Sequence, residues 1–268
     1  MDTMSATNPT NGGDPAQGRS ALREDIVIRA RKLTKRFGSF TAVDAIDLDV
    51  KAGEIFGFLG ANGAGKTTAM KMFIGLLRPT SGEASVAGCD VFTESASIRR
   101  SIGYMSQRFS LYNDLTVREN IRFYGGIYGL DDARLKARTE ALITELGLEQ
   151  HAKARLQDLP LGWKQKLAFG VALIHDPRIV FLDEPTGGVD PITRRQFWEM
   201  IYAAAARGIT VFVTTHYMDE AEYCHRISIM VDGVMAACDT PQALKQRYQA
   251  QSMDEVFYQL ARGSQRTE

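Results

Sequence analysis

The run Gly60-Ala61-Asn62-Gly63-Ala64-Gly65-Lys66-Thr67-Thr68 constrains this chain more than any other feature. It fits the pattern G-x-x-x-x-G-K-[ST] from Gly60 to Thr67 without exception. A short apolar segment, Glu54 to Leu59, precedes it and reads as a strand. Ala69-Met70, Met72-Phe73-Ile74 and Leu76-Leu77 follow with helical spacing. Glycines at 60, 63 and 65 let the backbone close around phosphate oxygens where a Cβ would intrude. Successive N–H groups, from Asn62 and Ala64 to Thr68, join the positive end of the helix in meeting the negative charge. Lys66 neutralises the β- and γ-phosphates, and the Thr67 hydroxyl ligates Mg²⁺. The ligands implied are ATP and Mg²⁺. Pro79 is expected to end the helix, with Ser81-Gly82 as a turn.

A second strand ends in carboxylates, in Arg178-Ile-Val-Phe-Leu182-Asp183-Glu184-Pro185. Ligands of open α/β sheets bind at such strand ends. Asp183 suits Mg²⁺, directly or through water. Glu184, one residue on, faces another direction and can polarise a water for in-line attack on the γ-phosphate. His216 follows a further strand, Ile209 to Thr215, and can hydrogen-bond the γ-phosphate. His151, His175 and His225 carry no such context and read as surface or core residues.

The rest of the chain alternates strands and helices. Ile26 to Ile28 and Val43 to Val50 read as strands around a polar turn. Leu135, Leu142 and Leu146 mark an amphipathic helix ending near Gly147, and Leu167, Val171 and Ile174 mark another. Ile179 to Leu182 and Thr210 to Val213 are continuous apolar runs, as buried parallel strands are. Thr240-Pro241 opens a late helix, and Ser252 with Glu255 caps a last one around Val256 to Leu260. The pattern predicts an α/β fold with a mainly parallel sheet. Residues 1–24, rich in Asn, Gly, Asp, Ser and Thr, are expected to be a disordered tail. Cys89, Cys224 and Cys238 form no CxxC pair, so buried reduced thiols are expected. Lys plus Arg number 32, as do Asp plus Glu, which gives no electrostatic grip on nucleic acid. No segment reaches the roughly 18 apolar residues of a membrane span.

With these elements in this order, the chain resembles the ATPase subunit of an ABC transporter from about Ile26 to Leu260. The resemblance implies a P-loop NTPase with a mainly parallel core sheet, an antiparallel β subdomain and an α-helical subdomain. The ATPase domain would span 25–240, its helical subdomain about 108–175, and a C-terminal helical extension 241–268. Phe37, in Lys-Arg-Phe-Gly, matches the aromatic that stacks on adenine; otherwise it is a core residue. Gln107, in Gly-Tyr-Met-Ser-Gln, matches the glutamine that reaches metal and water and moves with the membrane domains. Gly187-Gly188-Val189-Asp190 matches the loop that crosses the dimer interface, with Gly187 where the family usually has Ser. His216 matches the switch histidine.

The implied partners are integral membrane subunits and a second ATPase domain, at the cytoplasmic face of the membrane as a peripheral subunit. Phe109, Leu111, Tyr112 and Leu115 offer an apolar surface to the membrane subunits, or else pack inside the helical subdomain. The helix Ser252 to Leu260 resembles the tail of ATPases that serve exporters of drugs, lipids, polysaccharides or ions. The alternatives are a soluble ABC-type ATPase acting on DNA or ribosomes, a P-loop kinase and a binding-only regulator. The first is expected to carry a second cassette or a long coiled-coil insertion, the second gives Gln107 and His216 no role, and the third leaves Glu184 and His216 without a use.

One family element is altered. Where the signature Leu-Ser-Gly-Gly-Gln is expected, the chain has Leu159-Pro160-Leu161-Gly162-Trp163. In the family this segment meets ATP held by the other subunit. Pro160 has neither hydroxyl nor N–H to offer, while Gly162 and the helix N-terminus remain. The chain would then pair either with a copy of itself or with a different ATPase domain that carries an intact signature.

Overall fold

The computed structural model describes residues 26–107 and 111–263. The expected tail 1–24, Phe109 and residues 264–268 lie outside them. The chain runs β1 (Ile26–Phe37), β2 (Phe40–Lys51), β3 (Ile55–Gly60), α1 (Lys66–Phe73), β4 (Ser81–Val86), β5 (Cys89–Asp90), α2 (Ser95–Ser101) and β6 (Ile102–Met105). It continues through α3 (Val117–Ile127), α4 (Asp132–Glu145), α5 (Leu161–Ala172), β7 (Ile179–Asp183), α6 (Pro191–Ala206), β8 (Thr210–Thr215), β9 (Arg226–Val231), β10 (Val234–Asp239), α7 (Pro241–Arg247) and α8 (Met253–Gly263).

Six strands form one sheet in the order β10-β9-β3-β8-β7-β6, parallel from β9 to β6 with β10 antiparallel at the edge. Every residue of β3, β7 and β8 is buried, which accounts for the apolar run at the centre of each. Alternate side chains of these strands enter two different cores. Phe56, Phe58, Phe181 and Phe212 face one side, where they pack with α1 and with the antiparallel sheet β2-β1-β4-β5. Ile55, Leu59, Leu182 and Val213 face the other, against the helical subdomain, α6 and the C-terminal helices. Phe212 is the hub of the first core, with the rings of Phe56, Phe58, Phe73 and Phe181 within 5.8 Å of its own.

The helical subdomain comprises α3, α4 and α5. Thr116 and Glu119 form a reciprocal capping box for α3, and Asp131 caps α4. The late helices begin as their sequence signals indicate. Thr240 Oγ1 accepts from Ala243 N, and Ser252 Oγ accepts from Glu255 N. The Glu255 carboxylate reaches back to Gln251 N at 2.7 Å, one residue earlier than the expected partner. Met253 and Val256 of α8 are buried, and the helix packs on the short 3-10 segment Met218–Tyr223.

Three local expectations change. α1 stops at Phe73, well before Pro79, because Gly75 takes a left-handed conformation (φ 69°) and Leu76 N and Leu77 N fold back to Lys71 O. Ser81-Gly82 opens β4 and is paired to β1 through Ser81, so it is not a free turn. Of the cysteines only Cys224 is buried; Cys89 and Cys238 are half-buried, and all three are free. No helix among the described residues is long and apolar enough to cross a membrane.

Candidate functional site

The parallel order places the C-terminal ends of β3, β8, β7 and β6 side by side, and the site grows from these ends. From β3 the chain enters the glycine loop. Gly65 has φ 104°, and a Cβ there would lie 2.4 Å from the backbone oxygen of Ala42, so the position excludes any side chain. α1 starts at Lys66 and so points its first N–H groups at the loop. The Lys66 ammonium is buried, donating to Gly60 O at 2.7 Å and Ala61 O at 3.0 Å, and it lies 3.7 Å from Glu184 Oε1. Burial pulls its pKa below the usual lysine range, against the carboxylates of Glu184 and Asp183.

β7 delivers Asp183 to the other wall. Asp183 is buried, and its Oδ1 accepts from Thr214 Oγ1 at 2.7 Å and from Thr67 Oγ1 at 3.3 Å. Burial pushes its carboxyl above the usual range, while the Thr214 donor pulls the other way. Glu184 leaves the strand with φ 47°, a left-handed backbone that a non-glycine residue adopts at a cost. Thr214 holds it there, since Glu184 N donates to both Thr214 O and Thr214 Oγ1 at 3.1 Å. The turned backbone aims the carboxylate into a cleft of about 180 Å³ that Met105, Gln107 and Gln165 also line.

Glu184 Oε2 accepts from Gln107 Nε2 at 2.9 Å. His216 Nδ1, from the end of β8, stands 3.2 Å from the same oxygen, near enough for attraction but not aligned as a hydrogen bond. Gln107, Lys66, Glu184, His216, Thr67 and Asp183 therefore meet at one place.

The other expected residues fall elsewhere. Phe37 is half-exposed at the tip of the β1–β2 hairpin, with Lys35 Nζ 5.0 Å from its ring centre. Asp190 and Gly162 belong to the adjoining first turns of α6 and α5. The Asp190 carboxylate caps α6, accepting from Ile192 N, Thr193 N and Thr193 Oγ1, and these bonds, the last foremost, hold its pKa below the usual range. A Cβ on Gly162 would meet Thr193 Cγ2 at 2.5 Å. Pro160 is the N-cap of α5 and offers no side-chain bond there. Of the apolar residues expected to face membrane subunits, Leu111 is buried in the core, while Tyr112 is exposed and is joined on α3 by exposed Phe123 and Ile127.

Sequence reasoning passed over Thr214, which orients both acidic residues, and Gln165, which is buried and donates to Gly187 O at 3.2 Å. The one signal for Thr214 is a polar residue on an apolar strand whose neighbour strand ends in carboxylates.

A strand, a glycine loop and a helix, opposed by an acidic strand end on the same parallel sheet, define a P-loop nucleotide-binding domain. Comparison with known proteins narrows the class. The family model described as ABC transporter matches residues 43–187. The chain is 49% identical over 245 residues to the probable multidrug ABC transporter ATP-binding protein YbhF of Escherichia coli K12, covering 88% of this chain and 42% of that protein. It thus spans about two-fifths of the length of that relative. It is 38% identical over 221 residues to the Nod factor export ATP-binding protein I of Paraburkholderia xenovorans, covering 82% of this chain and 73% of that one. Among solved structures, a dimeric ATP-binding cassette in a post-hydrolysis state with ADP and Pi matches with TM-score 0.72 and 26% identity, over 80% of this chain and 98% of that one. The chain belongs to the ABC transporter family, as an ATP-binding cassette.

Proposed function

We propose that this chain binds and hydrolyses ATP with Mg²⁺ and thereby powers a transporter, in the export direction, through separate membrane subunits. The observation that carries this is the Glu184 carboxylate, held between Gln107, His216 and Lys66 beside the phosphate loop. In this reading Lys66 and the loop N–H groups bind the phosphates, Glu184 orients a water and takes its proton, and His216 and Gln107 hold that water and the γ-phosphate in line. Phe37 stacks on the adenine.

Mg²⁺ fits the donors present. Thr67 and Asp183 offer hard oxygens that already adjoin each other, with Gln107 as a third ligand. Magnesium keeps waters and phosphate oxygens in its shell and needs few protein ligands. When bound it neutralises phosphate charge. Among the described residues no cluster of three or more His, Cys, Asp or Glu offers a separate all-protein metal cage.

The export direction is supported by the relatives' names and by the docked α8 tail. The exposed Tyr112, Phe123 and Ile127 supply an apolar face for membrane subunits, which would hold the chain peripherally at the cytoplasmic side. Two cassettes would close on two ATP molecules, each site using one chain's phosphate loop and the other's α5 N-terminus.

Pro160 weakens the second half. One lost hydrogen bond to a charged phosphate is worth about 1.5–3 kcal/mol, roughly 10- to 100-fold. A pair with a different cassette bearing an intact signature restores one full site and explains why Lys66, Glu184 and His216 are retained. Purification with the membrane subunits tests the pairing: a complex whose only cassette is this chain, with robust turnover, rules it out. Glu184→Gln tests the hydrolytic assignment. Turnover is expected to fall roughly 10²–10³-fold, within the usual range for a general base, with ATP binding retained. Undiminished turnover in that variant sinks the assignment.

A further inference from the structure

His216 is half-exposed, and its contact with Glu184 is not an aligned hydrogen bond. Something else must set the ring. The next residue, Tyr217, turns back at once, its N–H donating to Thr215 Oγ1 at 3.0 Å. That turn brings the two rings to 4.1 Å between centres, tilted by 36°. The Arg194 guanidinium lies 4.2 Å from the Tyr217 ring centre, well inside the range at which a cation is drawn to a ring face. Tyr217 therefore touches both His216 and Arg194.

Arg194 faces two acidic side chains, one through a hydrogen bond from Nη1 and one through proximity of Nε, which makes no hydrogen bond. Its Nη1 is 3.4 Å from Asp219 Oδ2, and its Nε is 3.7 Å from Oε1 of the fully buried Glu220. The same Glu220 oxygen accepts from buried Thr186 Oγ1 at 2.6 Å. Thr186 lies two residues beyond Glu184. With the two-residue chain link from Glu184 to Thr186, these contacts close a ring through Glu220, Arg194, Tyr217 and His216 back to Glu184. Arg194 also sits one helical turn after Asp190, with Arg194 N donating to Asp190 O at 2.9 Å. A displacement of the loop 187–190 would therefore reach the first turn of α6, where Arg194 sits.

We propose that Arg194 and Tyr217 are positioning residues: they hold the His216 ring against Glu184 and couple it to the 187–190 loop. The proposal rests on the hydrolytic reading above for its consequence in turnover, though not for the geometry. Neither residue touches nucleotide in this scheme, so losses belong in kcat and not in ATP affinity.

The test uses the full-length protein. Arg194→Gln and Tyr217→Leu are expected to lower kcat by about 10- to 100-fold, the scale of a misplaced catalytic group, with the ATP Kd within about twofold. Tyr217→Phe keeps the ring and recovers most of the turnover. Arg194→Lys keeps the charge without the planar stack, remains folded, and loses turnover. The double variant Tyr217→Leu/His216→Gln is expected to be no slower than His216→Gln alone, because both losses act through one imidazole. Additive losses, or an ATP Kd that rises as kcat falls, overturn the proposal. A second readout is independent of turnover. Arg194→Gln is expected to shift the His216 ring-proton NMR signals of the nucleotide-free protein, and unmoved signals overturn the proposal whatever the activity. Absence of any Glu184-dependent turnover in the wild type counts against the hydrolytic reading, and the NMR signals then decide this inference by themselves.

Discussion

Thr214 gives the sharpest test of how the site is built. Its hydroxyl donates to Asp183 Oδ1 at 2.7 Å and accepts from Glu184 N at 3.1 Å, and the residue is fully buried. Thr214→Val keeps the shape and the strand propensity while deleting both bonds. Glu184 N retains Thr214 O, so the main loss falls on Asp183, which keeps only Thr67 at 3.3 Å. A buried hydrogen bond to a charged group is worth about 1.5–3 kcal/mol. At about 2–4 °C per kcal/mol for a domain of this size, the unfolding midpoint is expected to drop by about 3–12 °C at pH 7.

The pH dependence follows from Asp183. Its folded-state pKa lies above the usual carboxylate value because of burial, so ionisation costs the folded state. That cost is absent below the unfolded pKa of about 4 and grows as pH rises through the raised folded value. Removing the Thr214 donor takes away a lowering influence and raises the folded value further. The deficit of the variant is therefore largest above the raised folded values and shrinks towards about pH 4. Thermal melts of both proteins across that range, without nucleotide, measure it. A deficit of equal size at both ends, or none at neutral pH, refutes the role given to Thr214.

The other expectations concern the glycine loop and the thiols. Gly65→Ala places a Cβ 2.4 Å from a backbone oxygen at φ 104°, a strain of about 1–3 kcal/mol before any clash is relieved. ATP affinity measured by equilibrium binding is expected to fall at least about tenfold, and an unchanged affinity shows that the loop does not need this geometry. Burial pushes the Cys224 thiol far up, so mass spectrometry after brief alkylation near neutral pH should find Cys224 unlabelled until the protein is unfolded. Labelling of native protein at Cys224 contradicts its place in the core.

Much of the fold was legible because local sequence and global structure agree. The strands β3, β7 and β8 are buried on both faces, so their central residues form apolar runs that stand out, with polar residues only at the ends of β7 and β8. Thr240 and Ser252 stand as caps where their sequence signals put them. The end of α1 was misplaced because Pro79 is the louder signal, while the left-handed turn at Gly75 acts first. For Leu111 the sequence leaves a surface and a place inside the helical subdomain both open, and the packing of that subdomain selects the core.

The site divides along the same line. Lys66, Thr67, Asp183 and Glu184 announce themselves because their chemistry is local, a charge or hydroxyl at the end of a strand or the start of a helix. Gln107 and His216 needed the family pattern, since a glutamine or histidine gives no sign of where it will meet a carboxylate 77 or 32 residues away in sequence. Thr214, Thr186, Arg194, Tyr217 and Glu220 needed coordinates. Each reads as an ordinary strand, helix or turn residue, and each acquires its role from partners brought close by the order of β3, β8 and β7. Glu220 shows the limit most clearly. It lies in a polar stretch, Met218–Tyr223, yet its side chain is fully buried beside Thr186 and Arg194. A buried polar side chain is costly unless it is partnered, so its bond to Thr186 constrains the two loops it joins. Those loops carry Glu184 and His216, and no pattern confined to one segment could have linked them.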